Sequence, residues 1–499
     1  VRLFHSFQSI RSFSAQTFTF IGGLFFVVVF AASFMNTAQL LQSPLLAASG
    51  VFLTLILILA ASWLLGRQIS AKGYLLALIA ISLLARLGWI IWIDTPPDSD
   101  FLFMYNAAKL AAAGDFSFNQ DEYFLSWVYQ FGFTMYEAGM IKLFGGAALF
   151  MLKLVNVLFS AATVLLVYYT ALELFNEHTA RIAGLLYALY IPNIIMCSVL
   201  TNQHWSTFFF TLGCLLIISK SFENKYGWLL IGLSFGLANL MRPLSLVYLA
   251  GFAAFLLLFR LFKANFGNHR SAGRSIGKST TLLLARAAGV FIIFYMVQAL
   301  ASYALVQSEA SQYPLSNREP YWKFVVGLNA ETDGRWSLED GKHVLQFKLG
   351  EERDAAELAL IKERLADPAA VASLFARKLA IFWGEEDSAV MWSLKDMNQE
   401  QLAAVLKIAE RFLFTAMSAA GAYSLYSLWR SRFAEQHKAG HMLFLILLLG
   451  YAFVQLWIEI QARYRLDLLP CFILLQSYGI YLMQMKRTAR RKIKASSLN

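Results

Sequence analysis

WIDTPPDSDFLFMYNAAKLAAAGDFSFNQ, residues Trp92 to Gln120, marks the point where an apolar run meets a cluster of acids. The run from Leu75 to Ile93 stops at Asp94, and Asp98 and Asp100 follow on either side of Ser99. Beyond them Phe101, Tyr105, Ala108 and Ala112 recur at helical spacing, which predicts a short amphipathic helix. Acids at the mouth of a membrane span face a low-dielectric boundary. A carboxylate there can be desolvated and tuned to take a proton, so the pattern points to chemistry at the membrane surface. A structural reading stands beside it. Asp94 terminates a span, and Asp98 or Ser99 can cap the helix that follows, where acids suit the helix dipole.

Composition sets the class. Of 499 residues, 58% are hydrophobic and 15% charged, against about 45–50% and about a quarter in soluble domains. The 43 Phe, 21 Tyr and 12 Trp suit lipid contact and interfacial belts. The net charge of +11 reads as anchoring on anionic membrane lipid, not as nucleic-acid binding. Cys197, Cys214 and Cys471 lie in apolar runs and read as core residues, without a disulfide framework or metal cluster.

About twelve spans follow: Thr17–Met35, Leu45–Leu65, Leu75–Ile93, Ala147–Leu174, Ile182–Leu200, Trp205–Ile218, Trp228–Leu240, Leu244–Phe262, Thr281–Leu300, Phe412–Trp429, Met442–Ile458 and Leu468–Met485. The first reads as a retained span, not a cleaved signal peptide. Phe124 to Gly146 reads as one or two juxtamembrane helices in the outer interface. Arg2 and Arg11, Arg67 and Lys72, the loop with Arg260, Lys263, Arg270, Arg274 and Lys278, and the tail from Lys486 to Lys494 all fall on one side. The positive-inside rule makes that side cytoplasmic, with both termini, and puts the acid cluster outside. Residues 1–306 thus form an amino-terminal transmembrane module with a catalytic outer loop near 94–146. Residues 307–401 are extracytoplasmic, and 402–499 are the last spans and basic tail. Trp322, Trp336, Trp383 and Trp392 in the 307–401 segment predict a small folded cap, since disordered segments hold few aromatics. A helix is expected near Glu351–Leu365, and Val371–Trp383 is expected to return to the membrane.

Two further constellations lie on the outer side. EIQARYRLDLLP, Glu459 to Pro470, places Arg463 and Arg465 between two apolar spans. Arginine at that depth is costly unless it meets an anion, and its planar fork suits phosphate. Pairing with Glu459 and Asp467, or snorkelling to lipid, is the structural alternative. Asn202, His204 and Arg242 lie at span ends near the acid loop. GRSIGKST, Gly273 to Thr280, imitates a phosphate-binding loop, but Ala272 replaces the required glycine and no strand precedes it, so it reads as a basic anchor.

With these residues in view, the chain resembles the polytopic glycosyltransferases of the GT-C type, the group that includes protein O-mannosyltransferases and the aminoarabinose transferase of lipid A. The resemblance rests on PPDSDFLFMYNAAKLAAAGDF (Pro96–Phe116), MYEAGMIKLFGGAALFMLKLVN (Met135–Asn156), ALYIPNIIM (Ala188–Met196), GLANLMRP (Gly236–Pro243) and RYRLDLLP (Arg463–Pro470), in that order. Asn317 to Trp336 looks like the outer loop of bacterial members. There are departures: the proline that often follows RYR, an acid near Asn202, and a lysine–proline–proline segment between Glu122 and Tyr136 are all missing.

The resemblance implies an all-α GT-C fold in a bacterial plasma membrane. It implies transfer of a sugar from a polyprenyl-phosphate-linked donor to an acceptor hydroxyl on an envelope glycan, lipid or protein. Asp100 matches the catalytic base best, with Asp98 second. Arg463 and Arg465 match the segment that neutralises the leaving phosphate, and Arg242 and Tyr464 join them as expected donor-binding residues. His204, Asn202 and Glu459 are expected substrate-binding residues. No cofactor is expected. Asp98 and Asp100 could share a divalent cation, but no histidine or tight ligand spacing accompanies them. The rival reading is a lipid-linked glycan flippase or transporter, which would place polar or broken-helix sites near mid-membrane; Arg86 is the residue that keeps it open.

Overall fold

The computed structural model describes residues 2–65, 69–261, 272–432 and 439–496, with side chains for 9–65, 69–261, 280–432 and 439–486. Among the described residues the chain is all-α, with short turns of tighter helix between elements. Arg67, Lys263 and Arg270 lie outside the described residues, as do the side chains of Arg2, Arg274, Lys278 and the tail beyond Lys486.

Three helices open the chain: α1 (Arg2–Leu40), α2 (Pro44–Leu65) and α3 (Ala71–Trp92). α3 ends just before Pro96 and Pro97, which cannot continue a helix and disfavour helical backbone in the residue before them. α4 (Ser99–Ala112) buries Phe101, Met104, Ala107, Ala108 and Ala111. The predicted stripe holds at Phe101 and Ala108, while Tyr105 and Ala112 sit at its half-buried edge. Gly114, at φ 85°, ends α4 in the left-handed turn that glycine adopts without strain.

α5 (Glu122–Ser126) and α6 (Phe131–Phe144) follow, and α6 packs against α4. A short turn joins α6 to α7 (Ala148–Leu174), so Val128–Leu174 makes one apolar helical run of 47 residues. At about 1.5 Å per residue this run is roughly twice what a bilayer core needs. The predicted juxtamembrane segment is therefore continuous with the span after it.

Next come α8 (Glu177–Leu189), α9 (Ile191–Ile195), α10 (Gln203–Ile218), α11 (Gly227–Met241), α12 (Ser245–Phe255) and α13 (Ala272–Gln307). Gly273–Thr280 lies in the first turns of α13, so the phosphate-loop mimic is helical. The last helices are α19 (Glu400–Arg430), α20 (His441–Trp457) and α21 (Leu469–Ser496), after the cap helices described below. α19 packs along α1 and α21, and α10 lies against α7 and α11.

The protein is a multi-pass membrane protein. Among the described residues six helices are long and apolar enough to cross a bilayer, and the pair Glu177–Leu189 and Ile191–Ser198, bent by 54°, makes a seventh if counted together. About twelve were expected. Of the five that fall outside this count, α10, α11, α20 and the helix Ser245–Arg260 are apolar but only 10–17 residues long, and α19 is long enough but diluted by Ser, Thr and Tyr among its apolar residues.

The bend explains Arg86. Breaking a helix at Tyr190 strands carbonyls of its last turn. Arg86, fully buried on α3, donates to Ala188 O at 2.9 Å and Tyr187 O at 3.3 Å, and its other donors reach Ser82 and Ser160. The guanidinium thus serves as a side-chain cap inside the bundle. It leaves no open charge of the kind a transporter site would present.

The segment after α13 folds over one end of the bundle. It contains α14 (Trp322–Gly327), α15 (Leu338–Val344), α16 (Glu351–Arg364), α17 (Pro368–Gly384) and α18 (Ala389–Leu394). Trp322, Val325, Val326 and Val344 form its core, and Arg364 clamps α15 through Asp340 at 2.6 Å. α17 packs on α1 and α20. Close approach is enforced at Gly327, where a Cβ would stand 2.3 Å from the Ile458 carbonyl carbon. The backbones are also bonded there: Glu459 N–H donates to Lys323 O and Ile460 N–H to Gly334 O, both at 2.9 Å. Buried Lys378 completes the joint, giving its ammonium to Gly327 O, Leu456 O and Ile458 O at 2.7–2.8 Å.

Candidate active site

Three acids open the site and only one is free of partners. Asp94 accepts from Lys153 Nζ at 2.6 Å, and that buried lysine also binds Thr95 O. Asp98 stands at the N-cap position of α4 but makes no capping bond; Lys395 Nζ from the cap donates to it at 2.5 Å. Ser99 takes a left-handed φ of 53°, a strained geometry for a residue with a side chain. Asp100 follows, with no hydrogen bond or ion pair to its carboxylate among the described residues. It is open to water on one side and walled by protein on the others. That desolvation raises its carboxyl above the ordinary range, Glu459 adds to the rise, and Arg463 and Lys323 oppose it.

Arg463 is the counterpart. It is 5% exposed, and its guanidinium lies over Trp392 at 4.4 Å, Phe101 at 5.1 Å and Tyr464 at 5.5 Å. Nε donates to Gln461 Oε1 at 2.8 Å, but Nη1 is buried without a partner. An unpaired buried donor on a cation is costly, about 1–3 kcal/mol or more. Asp100 lies within electrostatic reach, yet no ion pair closes between them among the described residues.

The Tyr464 ring collects cations. Arg242 sits 4.9 Å, Arg463 5.5 Å and Lys323 5.8 Å from its centroid. Two are already balanced. Arg242 pairs with buried Asp467 at 2.9 Å, and Lys323 donates to Glu459 at 2.7 Å. Burial alone would raise Glu459, but the Lys323 ammonium and bonds from Lys323 and Gln461 hold it below the usual carboxylate range. Asp467 also accepts from Gln203 at 3.0 Å and Tyr451 at 3.3 Å. Arg463 carries the charge left over.

The other expected residues divide. Glu459 reaches the site through Lys323. Asn202 is occupied by Met241 O at 2.8 Å and by Arg242 at 3.4 Å, so it holds the arginine in place. His204 is buried, with Nε2 unpartnered, and lies within electrostatic reach of Arg86 in the bundle. Arg465 is spent elsewhere: it donates to Glu385 O at 2.8 Å, faces Asp387 at 3.5 Å and lies over Phe414. The structure brings Asp100, Arg463, Tyr464, Arg242 and Glu459 together and engages Arg465 in a separate buried cluster. Arg465 is thus paired, but with Asp387 and not with the Glu459 or Asp467 that the structural alternative named.

Sequence reasoning missed Lys323, Gln203 and Trp392. Lys323 and Trp392 sit in the long polar segment, where nothing in the pattern separates a surface lysine from one folded back on the spans. Gln203 is adjacent to His204 and was overshadowed by it.

Residues 136–272 match a family model described as dolichyl-phosphate-mannose-protein mannosyltransferase. Over that segment the chain is similar to this family, which lies in the group that its motifs resemble. No curated protein is close enough to count as a relative. Solved structures of the Archaeoglobus fulgidus oligosaccharyltransferase are similar in outline. The apo form is 14% identical with a TM-score of 0.47 and matches 86% of this chain and 52% of its own. A form tethered by a disulfide to an acceptor peptide with the NVT sequon gives 13%, 0.49, 86% and 51%. The complex with an inhibitory peptide and a dolichol-phosphate gives 15%, 0.44, 85% and 51%. The chain thus spans about half the length of these structures.

Proposed function

We propose that the chain is a glycosyltransferase that moves a sugar from a polyprenyl-phosphate-linked donor to an acceptor hydroxyl. The observation that carries the reading is the buried, unpartnered Nη1 of Arg463 beside the unpaired carboxylate of Asp100. Asp100 takes the proton of the acceptor hydroxyl as its oxygen attacks the anomeric carbon. The bond from that carbon to the phosphate oxygen breaks, and the electron pair leaves with the phosphate. Charge grows on the phosphate in the transition state, so a fixed guanidinium with a spare donor stabilises that state more than the ground state. Arg242 and Tyr464 shape the same pocket, and Arg465 holds the loop that carries Arg463. The match over residues 136–272 supports a lipid-linked donor.

The setting belongs to the same proposal: a bacterial plasma membrane, the site on the extracytoplasmic face, both termini in the cytoplasm, and an envelope glycan, lipid or protein as acceptor. Asp98 is held by Lys395, so we assign the base to Asp100 and route no step through a metal.

The test replaces Asp100 with Asn in the full chain. Transfer should fall by about a hundredfold or more, while expression and donor binding persist. Undiminished transfer would refute the assignment. Mass spectrometry of envelope glycans from cells lacking the protein should show one missing sugar, which names both donor and acceptor class.

A further inference from the structure

The cap is joined to the site at one charged residue. Lys323 lies on α14, the first cap helix, and no sequence motif singles it out. Its backbone carbonyl accepts from Glu459 N–H at 2.9 Å, and its ammonium donates to Glu459 Oε2 at 2.7 Å over the edge of the Tyr464 cation cluster. Main chain and side chain are thus fixed against one residue of the segment that carries Arg463. Gly327 and Lys378 hold the same joint from behind. The Lys323 side chain is 37% exposed, and its ammonium stands 5.8 Å from the centre of the Tyr464 ring that Arg463 also faces.

We propose that Lys323 is a positioning residue of the Asp100–Arg463 site: its charge, fixed by Glu459 beside Arg463 at the Tyr464 ring, supplements that arginine in holding a phosphate, which makes the cap part of the active site. The inference rests on the phosphate-binding reading above. Glu459 neutralises Lys323 in bulk, but the two charges are not coincident, so the ammonium still attracts an anion held at Arg463. Asp100 is faced by Arg463 and Lys323 as cations, by Glu459 as an anion, and by the phenols of Tyr123 and Tyr129; Asp98, the residue before α4, is covered by Lys395. Removing Lys323 takes away one of the two cations that favour the ionised form of Asp100, and it also frees the Glu459 carboxylate as an unbalanced anion. Both changes push the Asp100 carboxyl up.

The probe is methyl farnesyl phosphate, a singly charged lipid phosphodiester that does not titrate in the working range. Its binding to the purified full chain in detergent is measured by calorimetry across pH. An ionised Asp100 repels the probe, so wild-type affinity should weaken as pH rises through the Asp100 transition, and D100N should abolish that transition. K323M should bind about tenfold more weakly or worse and move the transition to higher pH. K323R should restore both. A K323M protein with wild-type melting temperature, affinity and transition would overturn the proposal. R463M with undiminished affinity would instead sink the phosphate reading itself, so the two failures are told apart.

Discussion

A general base works only while ionised. Burial raises the Asp100 carboxyl above an aspartate's ordinary 3.8, so the acid limb of the transfer rate should begin at higher pH than that value. The sign is fixed: as pH falls through the raised value the base is protonated and the rate drops. A pH–rate profile of the wild-type chain checks this, and a limb at or below the ordinary range would contradict it. The same residue shows how far a linear reading carries. Acid after an apolar run announced the site, and the cluster of three could not be sorted further. What sorts them is tertiary: Lys153 comes from α7 and Lys395 from the cap, and each neutralises one acid and leaves Asp100. Likewise Arg463 and Arg465 look alike in RYR. Only the fold gives one an aromatic cage and the other Asp387.

At the scale of elements, the break between α8 and α9 depends on Arg86. Arg86→Met keeps the volume roughly but strands two buried carbonyls, each worth about 1–3 kcal/mol. We expect thermal unfolding in detergent to drop by several degrees, with residual transfer in the folded fraction; an unchanged melting temperature would remove Arg86 from this role. The joint between α14 and the segment after α20 is equally specific. In Gly327→Ala the new Cβ meets backbone, not a movable side-chain tip. The Ile458 region must shift, and with it Glu459 and Arg463. Transfer should fall severalfold at saturating donor and the melting temperature should drop with it, and full activity at an unchanged melting temperature would show the contact to be slack. Glu357 on α16 supplies a third case. It is fully buried with neither carboxylate oxygen partnered, and burial, with Glu319 and Asp354 nearby, pushes it up to about 8 against the pull of Arg353. The folded cap therefore holds a proton that the unfolded chain releases above an ordinary glutamate's 4.5. Stability should fall as pH rises from that value toward 8 and level off beyond it. Glu357→Gln should flatten the slope of melting temperature against pH; an unaltered slope would assign it to other groups.

For the whole molecule, hydropathy made the class and most of the crossing helices legible. Pro44–Leu65 stands within a residue of the span read from sequence. The rest was hidden for physical reasons. Short helices such as α10 and α11 are supported by neighbours, not by their own length, and the join of α6 to α7 across Gly145–Ala147 looks like an interruption when glycines are read alone. A cap was the expectation drawn from the tryptophans. Its part in the site was not expected, because contact between residues 323 and 459 leaves no periodic trace.

One of those tryptophans has a practical corollary. The Arg463 guanidinium stands 4.4 Å from the centre of the Trp392 ring, close enough for the indole to sense that group's electric field. A guest that draws the guanidinium toward itself alters the field, and the emission colour of a single indole shifts with it. The protein thus carries a built-in optical gauge of occupancy. Difference fluorescence between the native chain and Trp392→Phe would read out loading of the pocket in real time, without a labelled sugar or a chemical turnover.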